Sequence, residues 1–289
     1  MAETWTIKKI LNWTTDYFTS KNISEPRLSA ELLLADVLNC KRIELYVQFE
    51  RILSADERTA YRVFVQRRAQ REPVQYILGE TEFMGFPFKV SPAVLIPRPD
   101  TELLVDCVIN YLKTNDLNTS KILDIGTGSG CIAISLAKYF SEAEVYAIEK
   151  SPDAIAIARE NAAQNDVTIH FIEDDFFTYV ANSSGKFDFD ILVSNPPYIS
   201  EADWPGLQAE VQNFEPKVAL FGGKDGMDFY NRLIPVAKNV LASNGTVFLE
   251  TGYDQAEKVA ALLTNEKFTS EIHKDYQQIE RVVIGNLAE

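Results

Sequence analysis

Residues 122–130 read Ile-Leu-Asp-Ile-Gly-Thr-Gly-Ser-Gly, an apolar run that leads into alternating glycines. The apolar run predicts a buried strand over 122–124. The glycines predict a turn whose backbone can adopt positive φ and approach a bound molecule closely. A helix is expected over 130–139, directly after the turn. A strand, a glycine turn and a helix in this order are typical of open α/β sheets, which bind ligands at the carboxyl ends of their strands.

Strand-like and helix-like patterns alternate from residue 121 onward, and this alternation predicts a mainly parallel sheet with helices on both faces. The further strands are expected over 145–149, 168–172, 190–193, 246–250 and 279–284. The further helices are expected over 153–165 and 226–241. The fold class that these patterns indicate is α/β.

The spacing of the glycines distinguishes between two kinds of ligand. A dinucleotide-binding fingerprint needs its third glycine at position 131, where this chain has Cys131. Asp124 would lie badly beside a pyrophosphate but suits the cationic amino-acid end of S-adenosylmethionine. We therefore predict an S-adenosylmethionine site in the turn. Its residues are Gly126, Thr127, Gly128, Ser129 and Gly130.

Acidic residues follow the next two predicted strands. Glu149 ends the second strand, where a carboxylate can accept hydrogen bonds from ribose hydroxyls; the alternative is an exposed acid without a ligand. Asp174 and Asp175 end the third strand, and one of them, for which we take Asp175, is expected to bind the adenine amino group. Phe176 is expected to pack on the adenine ring. Helix capping by the aspartate and core packing by the phenylalanine are the open alternative.

The segment Ser194-Asn195-Pro196-Pro197-Tyr198 follows the strand predicted over 190–193. Each proline fixes its own φ and lacks an N–H, and a residue before proline is held in an extended conformation. The backbone is therefore stiff, and it presents the side-chain oxygen of Asn195 and the carbonyl oxygen of Pro196, which we call the acceptor pair. Such a pair can hold both hydrogens of a planar NH2 group beside the ring of Tyr198. The alternative is a proline-stiffened turn that only ends a strand.

The chain before the sheet divides into two parts. Helical apolar spacing up to Pro73 predicts a small helical bundle over 1–73, and Ser54 with Glu57 predicts a capping box within it. Residues 74–99 change to glycine, proline and aromatic residues, and we expect a linker with a short β-hairpin there. The α/β domain then covers 100–289.

One arginine cluster and one single arginine each have two possible interpretations. Arg67, Arg68 and Arg71 form a basic cluster, for which a solvated helix face is favoured over a docking site. Arg98 lies between two prolines, so its backbone is rigid. Its side chain either has a structural role or faces the substrate cleft.

The composition excludes several classes of protein. The formal net charge of −14 over 289 residues counts against a nucleic-acid binder, because affinity for phosphate backbones depends largely on Lys and Arg. The cysteines and histidines have no spacing typical of a metal site or a disulfide framework. The first residues lack the apolar core of a secretory signal, and no apolar run is long enough to span a bilayer. We expect a cytoplasmic protein with no membrane partner, with no metal and no stable nucleic-acid partner; the oligomeric state is left open, with a monomer as the expectation.

Three segments together resemble one enzyme family. Residues 95–102, the glycine turn and Asn195-Pro196-Pro197-Tyr198 are similar to those of the protein-(glutamine-N5) methyltransferases of the HemK/PrmC family, which modify peptide chain release factors. Residues 214–220 and 281–283 also resemble that family, so the likeness covers nearly the whole chain. Asn-Pro-Pro-Tyr alone is less specific, since adenine-N6 DNA and some RNA methyltransferases carry similar tetrapeptides. Glu149 stands where the family more often has Asp, which retains an acceptor.

The resemblance implies a fold, an activity and a set of roles. The fold is a class I S-adenosylmethionine-dependent methyltransferase, with a Rossmann-like, mainly parallel seven-stranded sheet and a small N-terminal helical bundle. We hypothesise that this bundle docks the release factor. The activity is methylation of the glutamine amide in the Gly-Gly-Gln motif of class 1 release factors, in translation termination. The catalytic residues are then Asn195, Pro196 and Tyr198. These three bind the substrate together with Pro197, and Asn195 also contacts the cofactor.

Other functions remain open at this point. One alternative is a glutamine methyltransferase of a ribosomal protein, and another is a nucleic-acid amino-group methyltransferase, which the low basicity disfavours. A third alternative, from another class, is a binding or assembly protein that holds S-adenosylmethionine without transferring its methyl group.

Overall fold

The computed structural model describes residues 4–183 and 187–287. The helices in the described residues are α1 (Ile7–Ser20), α2 (Pro26–Val37), α3 (Arg42–Val47), α4 (Ala55–Ala69), α5 (Val74–Leu78), α6 (Pro99–Thr114), α7 (Cys131–Tyr139), α8 (Pro152–Gln164), α9 (Phe176–Asn182), α10 (Ala209–Phe214), α11 (Asp228–Ala237) and α12 (Ala256–Asn265). Short 3-10 helices lie at Trp204–Gly206 and Lys217–Ala219. None of these helices combines the length and apolar character needed to cross a lipid bilayer.

The strands form two sheets. They are β1 (Glu80–Phe83), β2 (Phe86–Lys89), β3 (Lys121–Ile125), β4 (Glu144–Glu149), β5 (His170–Glu173), β6 (Phe189–Ser194), β7 (Leu241–Glu250), β8 (Phe268–Lys274) and β9 (Glu280–Leu287). β1 and β2 form an antiparallel hairpin, as the sequence predicts for this region. The other strands form one seven-stranded sheet in the order β5-β4-β3-β6-β7-β9-β8.

The chain separates into two compact units. One holds the described residues up to Gly79 together with Gln208–Phe214, and the other holds Glu80–Leu207 and the described residues from Glu215 onward. The sequence placed a linker over 74–99, whereas in the structure α5 belongs to the first unit and the hairpin to the second. We call them the helical unit and the sheet unit.

The helical unit has an apolar core between its helices. Leu11, Phe18, Leu33 and Tyr61 are almost completely buried in it. The predicted capping box is confirmed, because the Ser54 hydroxyl accepts from the N–H of Glu57 and the Glu57 carboxylate accepts from the N–H of Ser54. This reciprocal bonding satisfies donors that the first turn of α4 would otherwise leave unpaired.

The interpretation of the arginine cluster as a solvated face is wrong for Arg68. Its side chain is only 5% exposed and lies 3.1 Å from the Glu210 carboxylate, which α10 contributes to the same unit. Arg71 reaches the same oxygen at 3.4 Å. Glu210 is 142 positions from Arg68 in the sequence, so local periodicity could not predict this partner. The ion pair with Glu210 allows Arg68 to be buried instead of lying on the surface.

The sheet unit has helices on both faces of its sheet, and the predicted α/β class is confirmed. β3, β4, β5, β6 and β7 run parallel, and β9 pairs antiparallel with both of its neighbours, β7 and β8. Two separate clusters of buried side chains cover the two faces. Strands buried on both faces read as continuous apolar runs, which explains why β3 and β6 are recognisable in the sequence.

α11 and β8 are two of the elements that differ from the sequence-based expectation. The helix expected over 226–241 is shorter and covers Asp228–Ala237; it begins after Gly226, which has φ of +77° and cannot lie in a right-handed helix. β8 was not anticipated. It is an edge strand with mostly exposed or half-buried residues, so it lacks the apolar alternation that marks a strand in a sequence.

Candidate functional site

A cavity lies in the sheet unit at the carboxyl ends of β3, β4 and β6. The residues that line it include most of those selected from the sequence: Gly126, Thr127, Gly128, Ser129, Glu149, Asp175, Phe176, Asn195, Pro196 and Pro197. β3 and β6 are adjacent and parallel, with Asp124 opposite Val193, so the glycine turn and the Asn-Pro-Pro-Tyr segment leave the sheet side by side. The parallel register therefore brings the two motifs to one place.

The glycine turn forms an open cradle. Gly126 and Gly128 have φ of +73° and +55°, and a Cβ built on either would meet no atom within 4 Å. The turn is fixed from β4, because the N–H of Gly126 donates to the carbonyl of Ile148 at 2.9 Å. Gly130 has a different environment, where a Cβ would lie 2.9 Å from Ile134 Cδ1. Gly130 thus allows α7 to pack closely, and its contact with a cofactor stays a prediction.

Asp124 is buried behind the turn and is 0% exposed. One carboxylate oxygen accepts from the Thr127 hydroxyl at 2.5 Å and from the N–H of Ala133 at 3.3 Å. Burial raises the pKa of this carboxyl to about 7. Asp124 therefore ties the turn to the start of α7, rather than facing a cation in the cavity as the sequence suggested.

Glu149 connects the glycine turn to the next helix. Its carboxylate accepts from the N–H of Gly128 at 3.1 Å through one oxygen and from the N–H of Ser151 at 2.9 Å through the other. A carboxylate has about four acceptor positions, so these bonds leave capacity for ligand hydroxyls. The assignment of Glu149 to a ribose stays a prediction, and the side chain lines the cavity where that prediction needs it.

Asp174, Asp175 and Phe176 line the same cavity from the end of β5. Asp175 caps α9, because its Oδ1 accepts from the N–H of Phe177 and of Thr178, both at 3.1 Å. Asp174 Oδ1 accepts from the N–H of Asp175 at 2.7 Å. The capping alternative for Asp175 is therefore observed, and it leaves the second carboxylate oxygen available to a ligand.

The acceptor pair is oriented by bonds on its other side. The Asn195 amide NH2 donates to the Thr101 hydroxyl oxygen at 2.9 Å. Neither Asn195 Oδ1 nor the Pro196 carbonyl accepts a hydrogen bond from the residues that the structure describes. Ser194, just before the pair, donates its hydroxyl to the Ile125 carbonyl at 2.7 Å and joins the ends of β6 and β3. The pair therefore lies at the cavity with its oxygens unengaged.

Tyr198 packs into the protein and is not among the residues that line the cavity. Its hydroxyl donates to Glu250 Oε1 at 3.3 Å, and its carbonyl accepts from Gln255 Nε2 at 2.9 Å. Burial, with the Glu250 carboxylate nearby, raises the pKa of Tyr198. The stacking of its ring on a substrate amide stays a prediction, and in the structure this side chain anchors the segment.

Three glycines surround the backbone of this segment. A Cβ on Gly222 would lie 2.6 Å from the Pro197 carbonyl oxygen, and one on Gly226 would lie 2.3 Å from the Tyr198 carbonyl oxygen. A Cβ on Gly252 would lie 2.9 Å from Tyr198 Cδ2. These distances are shorter than real Cβ contacts, so only glycine fits at these places. Sequence reasoning missed all three, although paired glycines after an apolar residue at 222–223 were a usable signal.

Arg98 has a structural partner at the edge of the cavity. Its guanidinium pairs with the Glu215 carboxylate, whose other oxygen accepts from the N–H of Ile96 at 3.2 Å. Glu215 is 6% exposed, while Arg98 is partly exposed and lines the cavity. Arg98 therefore has a structural role, because the ion pair holds residues 96–98 at the cavity, and the alternative that its side chain faces a substrate stays a prediction.

Comparison with known proteins places the chain in a family. Residues 9–79 match the family model of the PrmC N-terminal domain, and residues 99–209 match that of the methyltransferase small domain. The release factor glutamine methyltransferase of Geobacter sulfurreducens is 43% identical over 286 residues, covering 99% of this chain and 98% of the relative. The chain belongs to the release factor glutamine methyltransferase family.

Further matches agree with this membership. The release factor glutamine methyltransferase of Chlorobaculum tepidum is 41% identical over 282 residues, covering 96% of each chain. The crystal structure of a methyltransferase from Pyrococcus furiosus superposes with a TM-score of 0.51 at 18% identity, covering 72% of this chain and 91% of that one, which shows the shared fold. The resemblance drawn from the motifs is confirmed, and the chain is a methyltransferase of class I architecture.

Proposed function

We propose that the chain transfers a methyl group from S-adenosylmethionine to the side-chain amide nitrogen of the glutamine in the Gly-Gly-Gln motif of class 1 release factors, in the cytoplasm during translation termination. The observation that carries this proposal is the acceptor pair. Asn195 Oδ1 and the Pro196 carbonyl are two unengaged oxygens on a stiff backbone, at a cavity that also contains the glycine turn. Their chemistry suits an NH2 group with two hydrogens to hold.

The lining of the cavity fits S-adenosylmethionine. Gly126 and Gly128 leave space that any Cβ would occupy, so a ligand can lie directly on the backbone. Glu149 and the aspartates at 174–175 supply acceptors at the ends of two neighbouring strands, where ribose and adenine donors are expected. Phe176 is packed in the core, as the alternative interpretation expected, and the part of it that lines the cavity can supply an apolar surface for a ring. When bound, S-adenosylmethionine supplies an electrophilic methyl carbon, and its sulfur takes the electron pair of the broken carbon–sulfur bond.

The task of the protein follows from the weakness of the nucleophile. The lone pair of an amide nitrogen is delocalised into its carbonyl, and removing a proton beforehand is very unfavourable. Asn195 and Pro196 hold both N–H groups, so the nitrogen faces the cofactor side of the cavity. Positioning of this kind can contribute about 7 to 11 kcal/mol to lowering a barrier. The same two oxygens stabilise positive charge that develops on the nitrogen, and one of its protons leaves once the new carbon–nitrogen bond has formed.

The test is transfer of labelled methyl from S-adenosylmethionine to a purified release factor, with mass spectrometry of the modified peptide. A ribosomal protein and DNA are included as competing acceptors. Label on the Gly-Gly-Gln glutamine supports the proposal, and label only in the ribosomal protein or DNA refutes it.

A single substitution tests the acceptor pair. Asn195→Ala should reduce turnover to background while the melting temperature changes little, since the side chain is only partly buried. The matched control is Asn118→Ala, which removes an exposed asparagine outside the cavity and should retain full activity. Turnover of Asn195→Ala within a few-fold of the unmodified protein would contradict the assignment.

We propose further that the helical unit docks the release factor. This docking proposal is supported by two exposed apolar side chains on α3: Ile43 and Val47 have 66% and 82% of their surface accessible to solvent. Replacing both by serine should raise KM for the release factor and leave KM for S-adenosylmethionine unchanged. Val63→Ser, at a half-exposed position on α4, is the control. Equal changes in both KM values would exclude docking by this surface.

A further inference from the structure

A fully buried asparagine lies between the glycine turn and the β-hairpin. Asn161 is on α8 and is 0% exposed. The helix face around it carries small apolar side chains, and Ala158 and Ala162 on this face are also buried. A polar side chain at such a place is costly unless its hydrogen bonds are satisfied, and asparagine favours a helix less than alanine does. The presence of Asn161 there needs an explanation.

The side-chain amide of Asn161 bonds to the backbone of two other segments. Its Oδ1 accepts from the N–H of Lys89 at 2.7 Å, and its Nδ2 donates to the carbonyl of Lys89 at 3.0 Å. The same NH2 group donates to the carbonyl of Ser129 at 2.8 Å. An NH2 group has two hydrogens, so both are engaged and the amide is fixed at three points.

The orientation of this amide is imposed by its partners. The N–H of Lys89 can only donate, so it must face the amide oxygen of Asn161. The carbonyls of Lys89 and Ser129 can only accept, so they must face the NH2 group. A flipped amide would place oxygen against oxygen and N–H against N–H. The backbone groups around Asn161 therefore permit one arrangement of its side chain.

One of the two bonded segments is the glycine turn. Ser129 lines the cavity and is 3% exposed. Its carbonyl accepts from Asn161 on α8, whereas the N–H groups of Gly126 and Gly128 donate to Ile148 and Glu149 of β4. A turn with three glycines has many accessible conformations, so the bonds that hold it select the one it adopts. Asn161 holds the turn from the side of α8.

Close packing of α8 on the turn brings Asn161 within reach of Ser129. A Cβ on Gly130 would lie 3.2 Å from Ala158 Cβ and 3.4 Å from Ala158 Cα, so the lack of a side chain at Gly130 lets the helix approach. Ala158 and Asn161 are three positions apart in α8 and therefore lie on the same face of the helix. The approach of Ala158 to Gly130 thus also places the Asn161 amide beside the turn.

The other bonded segment is the end of the hairpin. Lys89 is the last residue of β2, which pairs with β1 alone among the described strands. Asn161 bonds to both backbone groups of Lys89, as a further strand would. Shortly after Lys89 the chain reaches the cavity, which is lined by Ala93, Val94, Leu95, Pro97 and Arg98. One side-chain amide therefore joins the glycine turn to the start of a second segment that lines the cavity.

We infer that Asn161 is a positioning residue for S-adenosylmethionine binding: its amide joins the Ser129 carbonyl to Lys89 and so holds the glycine turn in the conformation that accepts the cofactor. The inference deepens the proposed function and rests on it, because it needs the glycine turn to bind S-adenosylmethionine. Without the amide, the buried Ser129 carbonyl loses its donor and the turn populates other conformations. Affinity then falls in proportion to the fraction of molecules that keep the binding conformation.

The first test measures binding and does not need methyl transfer. Asn161→Ala should raise the Kd for S-adenosylmethionine, measured by titration calorimetry, about 5- to 30-fold. Asn161→Asp keeps the shape of the side chain and removes both donors, so it should raise this Kd at least as much. In the methylation assay KM for S-adenosylmethionine should rise in parallel, while KM for the release factor and kcat at saturating cofactor stay within about threefold.

Asn165→Ala is the matched control. Asn165 ends the same helix and is 5% exposed. Its NH2 group donates to the Pro87 carbonyl of the same hairpin at 2.9 Å and to the backbone carbonyl of Asn161 at 3.0 Å, and among the described residues it has no bond to the glycine turn. This variant should lose stability and retain the Kd for S-adenosylmethionine. A folded Asn161→Ala protein that binds S-adenosylmethionine as tightly as Asn165→Ala overturns the inference.

A second readout starts from the unmodified protein. Lys89 is not among the residues that line the cavity, yet S-adenosylmethionine should slow the hydrogen exchange of its N–H, measured by NMR, because Asn161 joins it to the turn. The slowing should be lost in Asn161→Ala and kept in Asn165→Ala. Exchange at Lys89 that the cofactor leaves unchanged in the unmodified protein refutes the inference.

These measurements separate the inference from the function on which it rests. If the unmodified protein does not bind S-adenosylmethionine, the proposed function fails and the inference fails with it. If the protein binds S-adenosylmethionine equally well with and without the Asn161 amide, the inference alone fails.

Discussion

Replacing Gly222 by alanine should displace the acceptor pair without changing any group that contacts substrate. A Cβ at this position would lie 2.6 Å from the Pro197 carbonyl oxygen and 2.8 Å from Tyr198 Cα, both backbone atoms that cannot rotate away. Gly222 cannot retreat either. Its N–H donates to the Ile199 carbonyl at 2.9 Å, its carbonyl accepts from the N–H of Asp228 at 3.0 Å, and the Gly226 carbonyl lies 2.9 Å from the added carbon.

The size of the effect follows from these contacts. An ordinary contact begins at 3.4 Å, so the Pro197 carbonyl must move by about 0.8 Å, and Pro196 is one stiff peptide away. A misplacement near 1 Å can cost about 100-fold in rate, so we expect kcat to fall about 30- to 100-fold. Strain in the packed backbone should also lower the free energy of unfolding by about 1 to 3 kcal/mol.

The assay is methyl transfer from labelled S-adenosylmethionine to release factor, together with thermal melting. KM for S-adenosylmethionine should change little, because the glycine turn is on another strand end. Gly206→Ala is the matched control: a Cβ there meets nothing within 4 Å and the residue has no positive φ. If Gly222→Ala folds and its kcat is within twofold of the control, the claim that tight packing fixes the acceptor pair is refuted.

Two further predictions concern buried charges. Arg68→Met leaves Glu210, whose side chain is 9% exposed, with only the more distant Arg71, and should destabilise the helical unit by about 3 to 5 kcal/mol; faster hydrogen exchange over 208–214 measures this, and unchanged exchange would contradict it. Burial raises the pKa of Asp124 from 3.8 to about 7, so its folded form prefers the proton and stability should fall by about 4 kcal/mol as pH rises between these values. Urea titrations from pH 4 to about 8 measure the free energy of unfolding, which should fall less steeply with pH in Asp124→Asn than in the unmodified protein. Equal dependence on pH in the two proteins would show that Asp124 is not the cause.

The sequence predicted best those features that depend only on residues close together in the chain. The apolar runs of β3 and β6 and the motifs that follow them are local patterns, and the parallel register that brings them together is the ordinary consequence of an α/β sheet. The capping box at Ser54 is likewise encoded within four residues. Each of these predictions needed only neighbours along the chain.

The features that were missed depend on partners distant in sequence. Glu250 appeared only as the last residue of a strand, and the Tyr198 hydroxyl that bonds to its buried carboxylate comes from a loop far from it in the chain. Gly222 looked like one more loop glycine until the Pro197 carbonyl was found beside it. Burial and proximity of this kind are properties of the packed molecule, and periodicity does not report them.

The helical unit is completed by a segment encoded far downstream. Its first part ends at Gly79, yet α10 and the partner of Arg68 lie within Gln208–Phe214, with sheet-unit residues on either side. During synthesis the early helices must therefore wait until about three-quarters of the 289-residue polypeptide has left the ribosome before their buried cation can be neutralised. A truncated gene product ending near residue 80 should be a poor folder, and an expression fragment of this unit would need the later segment grafted onto it.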